Sequence, residues 1–238
     1  MEQKVSLIMA AKNEAQRIGN VLKPICHHPL IGEIIVVCDG CIDNTAEIAR
    51  SYGANVIEQK KSQGKALAVK VGLASAKYDT ILLLDADLVG LTEKNVTDLV
   101  WPVLSGKVDF TLSIRGNSSH IFKLLGIDFC SGERVIGKEL LASSGFWSQP
   151  KVGYGLEVLM NNSLLKRHKK FITVSMPNLH HLTKSQKMFR LKGWMRDIGM
   201  WLNIFRVFPF YKVIGQFIEM AYLNQKYHRQ LKKLEGNT

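Results

Sequence analysis

Cysteine is scarce in the 238-residue sequence, limited to Cys26, Cys38, Cys41 and Cys130. Cys38 and Cys41 form a C-x-x-C spacing, but no second such pair follows to complete a zinc site. Cys38 also continues an apolar run, so these thiols read as inert. No charged-then-apolar leader precedes Val5, and the few cysteines then predict a reducing cytoplasmic setting. Internal repeats and low-complexity linkers are absent, which argues against a solenoid or a disordered spacer. No clean run of about 20 apolar residues occurs either. The aromatic-rich stretch from Gly193 to Leu223 is broken by Arg206, Pro209, Lys212 and Glu219. Acids are outnumbered, 20 against 32 basic residues, for a formal net charge of +12. The excess is concentrated at the end, where eleven basic residues from Lys184 onward face only Asp197, Glu219 and Glu235.

Such a tail predicts an anionic partner. Trp194, Trp201, Phe205 and Phe208 alternate there with cations. The pattern reads as an interfacial amphipathic helix pair, set on anionic lipid at the inner face of a membrane or on a second subunit as a homodimer. Nucleic acid is not expected, because no recognisable nucleic-acid module is present.

The first hundred residues alternate short apolar runs with helical stretches. Strands are predicted at 5–10, 33–38, 55–58, 80–84 and 108–114, and helices at 15–25, 45–52, 65–76 and 93–104. This rhythm implies an α/β fold, a mostly parallel Rossmann-like sheet covered on both faces. Ligands in such folds bind beyond the carboxyl ends of the strands. After Gly116, six glycines up to Gly155 suggest loops and short helices, with a returning strand at 171–174 and helix again beyond Lys184.

Polar residues stand at those strand ends. Asp85-Ala86-Asp87 follows a continuously apolar strand. Acids at i and i+2 of an extended segment point the same way, so one divalent cation can meet both. Manganese and magnesium prefer such oxygen ligands. Asp39-Gly40 ends the second strand, where a carboxylate can accept from a nucleobase N–H and Gly40 permits close approach. Asp43, Asn44 and Thr45 read as caps for the next helix. Gly64-Lys65 opens a helix whose free N–H groups, with the lysine, suit a diphosphate. Asn13 and Glu14 follow the first strand and serve equally as helix caps. His180-His181 offers imidazole, and the H-x-x-K spacing to Lys184 favours His181 as a metal ligand.

Taken in order, these pieces resemble family 2 glycosyltransferases of the GT-A fold over roughly the first 115 residues. The opening Pro-Ala-Tyr-Asn-Glu pattern of that family appears as Ala10-Ala11-Lys12-Asn13-Glu14. Its paired acids followed by Gly-Ser-x-Asp-x-Thr appear as Cys38-Asp39-Gly40-Cys41-Ile42-Asp43-Asn44-Thr45, with Cys38 replacing one acid. The resemblance implies a metal-dependent transfer from a nucleotide-diphosphate sugar. It places nucleotide contacts at Ala11, Asn13, Glu14, Asp39, Gly40, Lys65, Asp85 and Ala86. It places Mn2+ or Mg2+ on Asp85, Asp87 and a late histidine, His181 or His180. Ser131-Gly132-Glu133-Arg134 and Gly153-Tyr154-Gly155-Leu156-Glu157 are similar to acceptor-side motifs of polyprenol-phosphate and phosphoglycerate glycosyltransferases. Glu157 then stands as the catalytic carboxylate beside Asp87. The implied layout is a domain over 1–183, its nucleotide-sugar half at 1–115 and acceptor half at 116–183, with a basic helical tail over 184–238. A nucleotidyltransferase is the runner-up, although residues 10–13 lack the glycine- and arginine-rich loop it needs. A non-catalytic nucleotide-sugar-binding domain remains the other alternative, because of Cys38.

Overall fold

The computed structural model describes residues 3–143, 155–181 and 209–235. Its main sheet has seven strands in the order β3-β2-β1-β4-β7-β6-β8. They are β1 (Val5–Ala11), β2 (Ile31–Asp39), β3 (Asn55–Gln59), β4 (Thr80–Leu83), β6 (Phe110–Arg115), β7 (Arg134–Gly137) and β8 (Phe171–Met176). All run parallel except β7, which is antiparallel to both its neighbours, β4 and β6. The apolar runs of β1, β2 and β4 form strands because the sheet is buried on both faces, where β-branched side chains pack well.

Alternate residues feed two hydrophobic clusters. Ile8, Ile35, Val37, Ile81 and Leu83 face one side, with α3 (Lys65–Ser75), α5 (His120–Leu125), α6 (Lys138–Ser143), α7 (Gly155–Lys166) and α8 (Phe210–Glu235). Leu7, Met9, Val36 and Leu82 face the other, with α1 (Ile18–Leu22), α2 (Thr45–Ser51) and α4 (Glu93–Leu104). The expected α/β sheet with helices on both faces is therefore the observed architecture.

Two differences bear on the site. The segment after Gly116 contributes a strand, β7, in addition to loops and short helices. The predicted helix over 15–25 shortens to α1, flanked by turns. In the loop before α2, Asp43 Oδ1 accepts from Thr45 N at 3.1 Å, while the Asn44 side chain makes no cap. Of the tail, α8 packs on β8 and α7, whereas 182–208, with the aromatic stretch from Trp194 to Phe208, lies outside the described residues. Among the described residues no helix is long and apolar enough to cross a membrane.

Candidate active site

Beyond β4 the chain turns through Asp85, buried Ala86 and Asp87 into a two-residue strand, β5 (Leu88–Val89). β5 pairs antiparallel with β9 (His180–His181), which sets Leu88 opposite His181. That pairing requires Gly90, since a Cβ there would come within 2.1 Å of the Asn178 carbonyl. One short ladder thus carries a late histidine to the two early acids.

His181 is the hub. Its Nδ1 lies 2.7 Å from Asp87 Oδ1, and its Nε2 lies 3.1 Å from Glu133 Oε1 and 3.4 Å from Asp85 Oδ2. Burial works against its charge, but the hydrogen bonds to Asp87 and Glu133 prevail and raise its pKa to about 9. Burial likewise penalises Asp87, yet His181 holds that carboxyl below its usual range. One ligand atom each from Asp85, Glu133 and His181 lie within 4.8 Å of one another, a set able to hold a metal ion. His180, the neighbouring residue of a strand, is exposed and stays out of this set. Its ring instead stands against Gly116.

Glu133 has no solvent exposure and is satisfied from several sides. Ser113 and Ser131 hydroxyls both lie 2.8 Å from its Oε2, and Arg115 Nη1 lies 3.3 Å from its Oε1. Burial pushes the Glu133 carboxyl up, but Arg115 and His181 hold it well below the usual carboxylate range. Arg115 also reaches Asp128 at 3.3 Å, and these two acids raise its pKa despite burial. Arg134 is equally buried; its Nη1 donates to Asn161 Oδ1 at 3.0 Å and its Nη2 to the Ser131 carbonyl.

A second cation closes the other side. Lys65, first residue of α3, places Nζ 2.7 Å from Asp85 Oδ1 and 3.0 Å from Glu157 Oε1. Burial disfavours its charge, but the two carboxylates more than compensate and raise its pKa. Glu157 is buried, and its Oε2 has no hydrogen-bond partner among the described residues. An orphaned carboxylate oxygen is costly unless a ligand satisfies it. Gly132 passes directly over this group: a Cβ there would stand 2.6 Å from Asp85 Oδ2 and 2.9 Å from Lys65 Nζ.

The nucleotide-side residues are held by their own loops. Asp39 accepts from Ser62 Oγ at 2.7 Å, Gln63 N at 2.6 Å and Gly64 N at 2.9 Å, so it organises the turn before Lys65. Gly40 has φ +70°, and a Cβ there would meet Ser62 N at 2.7 Å. Asn13, at φ 56°, accepts from Ile42 N at 2.9 Å, latching the loop after β1 to the loop after β2. The Glu14 carboxylate pairs with Arg17, and Ala11 ends β1 with its carbonyl 3.4 Å from the Cys41 sulfur. Cys38 is buried inside β2, and burial pushes its thiol up to about 12, as suits an inert residue. Gly155 opens α7, and Tyr154 lies outside the described residues.

Sequence reasoning missed Arg115, Asp128 and Ser113, whereas Ser131 heads the acceptor-side motif. Arg115 was within reach of the strand-end rule, since β6 runs one residue past the predicted limit of 114. Ser113 and Asp128 are ordinary residues in any one-dimensional reading.

Residues 6–122 match the family model described as glycosyl transferase family 2. This stretch is a glycosyl transferase family 2 domain. The family 2 domain contains Asp39, Lys65, Asp85, Asp87 and Arg115; Glu133, Glu157 and His181 lie beyond it. A 4,4'-diaponeurosporenoate glycosyltransferase of Staphylococcus aureus is 36% identical over 101 residues, 40% of this chain and 27% of its own length. The chain thus spans about a quarter of that curated relative. Among solved structures, glucosyl-3-phosphoglycerate synthase of Mycobacterium tuberculosis in complex with phosphoglyceric acid superposes with a TM-score of 0.71 at 22% identity. The match covers 90% of this chain and 80% of the synthase. The same synthase with Mn2+, UDP and glucosyl-3-phosphoglycerate gives a TM-score of 0.65 at 23% identity, over 85% and 80%. With Mg2+ and UDP it gives 0.67 at 24%, over 85% and 79%. The fold is GT-A, as the sequence predicted.

Proposed function

We propose that the chain is a divalent-metal-dependent glycosyltransferase that moves a sugar from a nucleoside-diphosphate donor to an anionic acceptor. The observation that carries this reading is the convergence of Asp85, Glu133 and His181 beside Lys65 at the end of β4. Two carboxylates and an imidazole suit Mn2+ or Mg2+, the ions named with the UDP-bound synthase. When bound, such an ion neutralises charge on the departing diphosphate. Asp87 orients His181 through Nδ1, as outer-sphere carboxylates do for metal-bound imidazoles. His180 has no part in this reading.

The chain's own groups do the rest. Lys65 adds a fixed cation for the diphosphate, at the start of a helix ordered by Asp39. Ala11, Asn13, Glu14, Gly40 and Ala86 line the nucleotide side. Gly132, Arg134 and the start of α7 at Gly155 form the acceptor side. Glu157 Oε2 accepts a hydroxyl proton there: as the acceptor oxygen bonds to the anomeric carbon, the bond from that carbon to the diphosphate oxygen breaks, the electron pair leaves on the nucleoside diphosphate, and the acceptor's proton passes to the carboxylate. The synthase bound to phosphoglyceric acid supports an anionic acceptor carrying such a hydroxyl. The basic tail extends the reading to a peripheral position on the cytoplasmic face of an anionic membrane.

The test is calorimetric titration of nucleotide sugars, UDP-glucose first, with and without Mn2+, on wild type and Asp85→Ala. Binding that needs Mn2+ and weakens about 100-fold in the variant is expected, in line with losses on disturbing metal shells. No binding of any donor with metal present would sink the reading.

A further inference from the structure

The outer face of α8 has no role in the site above. Its inner face is pinned by specific contacts. Asn224 Oδ1 accepts from Thr173 N at 2.9 Å, and its Nδ2 donates to the Gly126 carbonyl at 2.8 Å. Gln216 donates to the Val158 carbonyl at 3.1 Å, and Phe217 meets Phe122 and Phe129 at centroid distances of 5.5 and 5.2 Å. The helix therefore cannot roll to hide what points outward. At helical spacing of seven and four, the outward stripe is Tyr211, Ile218, Tyr222, Arg229 and Lys233.

Tyr211, Ile218 and Tyr222 are 70%, 62% and 66% exposed, a costly arrangement for a helix that buries its other face well. α5, beside it through Phe122, adds Ile121 and Leu124, 54% and 84% exposed. Towards the carboxyl end the stripe becomes cationic. Tyr222, Gln225, Lys226, Arg229, Gln230 and Lys233 line an open groove of about 230 Å3. Five cations stand against two acids along the 26-residue helix, which is about 39 Å long.

We infer that this face is a docking surface for an anionic phospholipid bilayer. Lys226, Arg229 and Lys233 take lipid phosphates, while Tyr211, Ile218 and Tyr222 enter the headgroup–acyl boundary. The inference deepens the peripheral position proposed above and rests on it. Charge complementarity selects the occupant, because a row of cations beside exposed tyrosines and aliphatics matches an anionic interface better than a neutral one. A second copy of this chain would bring the same cations against themselves.

The full chain is mixed with phosphatidylcholine vesicles with and without phosphatidylglycerol, without donor or metal, and sedimented. Three proteins are compared: wild type, Lys226→Glu/Arg229→Glu/Lys233→Glu, and Ile218→Ser/Tyr222→Ser. Wild type should partition onto the anionic vesicles only, less so as salt rises. The charge-reversed variant should lose about 30-fold or more, and the serine variant several-fold. All these residues are exposed, and equal melting temperatures confirm folding. Equal partition of wild type and charge-reversed protein would overturn the proposal, as would a wild-type dimer that the serine variant abolishes. Single-stranded RNA displacing wild type from vesicles, with tighter binding to RNA than to lipid, would also overturn it. UDP-glucose titration of the same preparations is read separately, so loss of vesicle binding with intact donor binding counts against the surface alone.

Discussion

Gly132 shows how little room the site leaves. Its missing side chain lets the backbone lie against the Asp85–Lys65 ion pair, where a Cβ would stand 2.6 Å from one partner and 2.9 Å from the other. Gly132→Ala should therefore displace the pair, costing about 1–3 kcal/mol of stability and weakening Mn2+-dependent UDP binding. A melt together with a titration checks both, and wild-type values in each would contradict the geometry. Cys38 makes the opposite case. Its thiol sits inside β2 with its pKa pushed up to about 12, so at pH 8 it stays protonated and unreactive. Maleimide should label half-buried Cys26 in the native chain and reach Cys38 only after denaturation. Prompt native labelling of Cys38 would contradict the inert reading.

At the scale of elements, α8 depends on Asn224, whose amide joins β8 and the end of α5 in one set of bonds. Asn224→Ala strands the Thr173 N–H, while the Gly126 carbonyl keeps the Thr173 hydroxyl at 2.8 Å, for a loss of about 1–3 kcal/mol. Urea unfolding should show the lower midpoint, and an unchanged midpoint would remove Asn224 from the account. Which elements the sequence disclosed follows a physical division. β1, β2 and β4 are continuous apolar runs buried on both faces, and such runs declare themselves. α4 matches its predicted limits because Thr92 and Asn95 form a reciprocal cap, a local signal. β7 escaped because Arg134-Val-Ile-Gly137 is short and becomes a strand only by pairing with β4 and β6. β5 and β9, two residues each, exist only through each other.

For the whole molecule, the same division separates the two halves of the site. Asp39, Lys65, Asp85 and Asp87 fall at strand ends within the family 2 domain, and the rule for parallel sheets finds them. Glu133 was read as an acceptor residue, yet it lies beside His181 and Asp85 because β7 runs antiparallel next to β4. The H-x-x-K spacing favours His181 over His180, and the β5–β9 pairing supplies the physical reason, since it brings His181 to Asp85 and Glu133. The central claim is that residues far apart in the chain form one metal-nucleotide site. Its most direct test is titration of Mn2+ into wild type and His181→Ala with UDP held in excess. One ion per chain is expected for wild type, and an affinity at least about 10-fold weaker for the variant. Equal affinity in the two proteins, or no Mn2+ bound by wild type, would contradict the account.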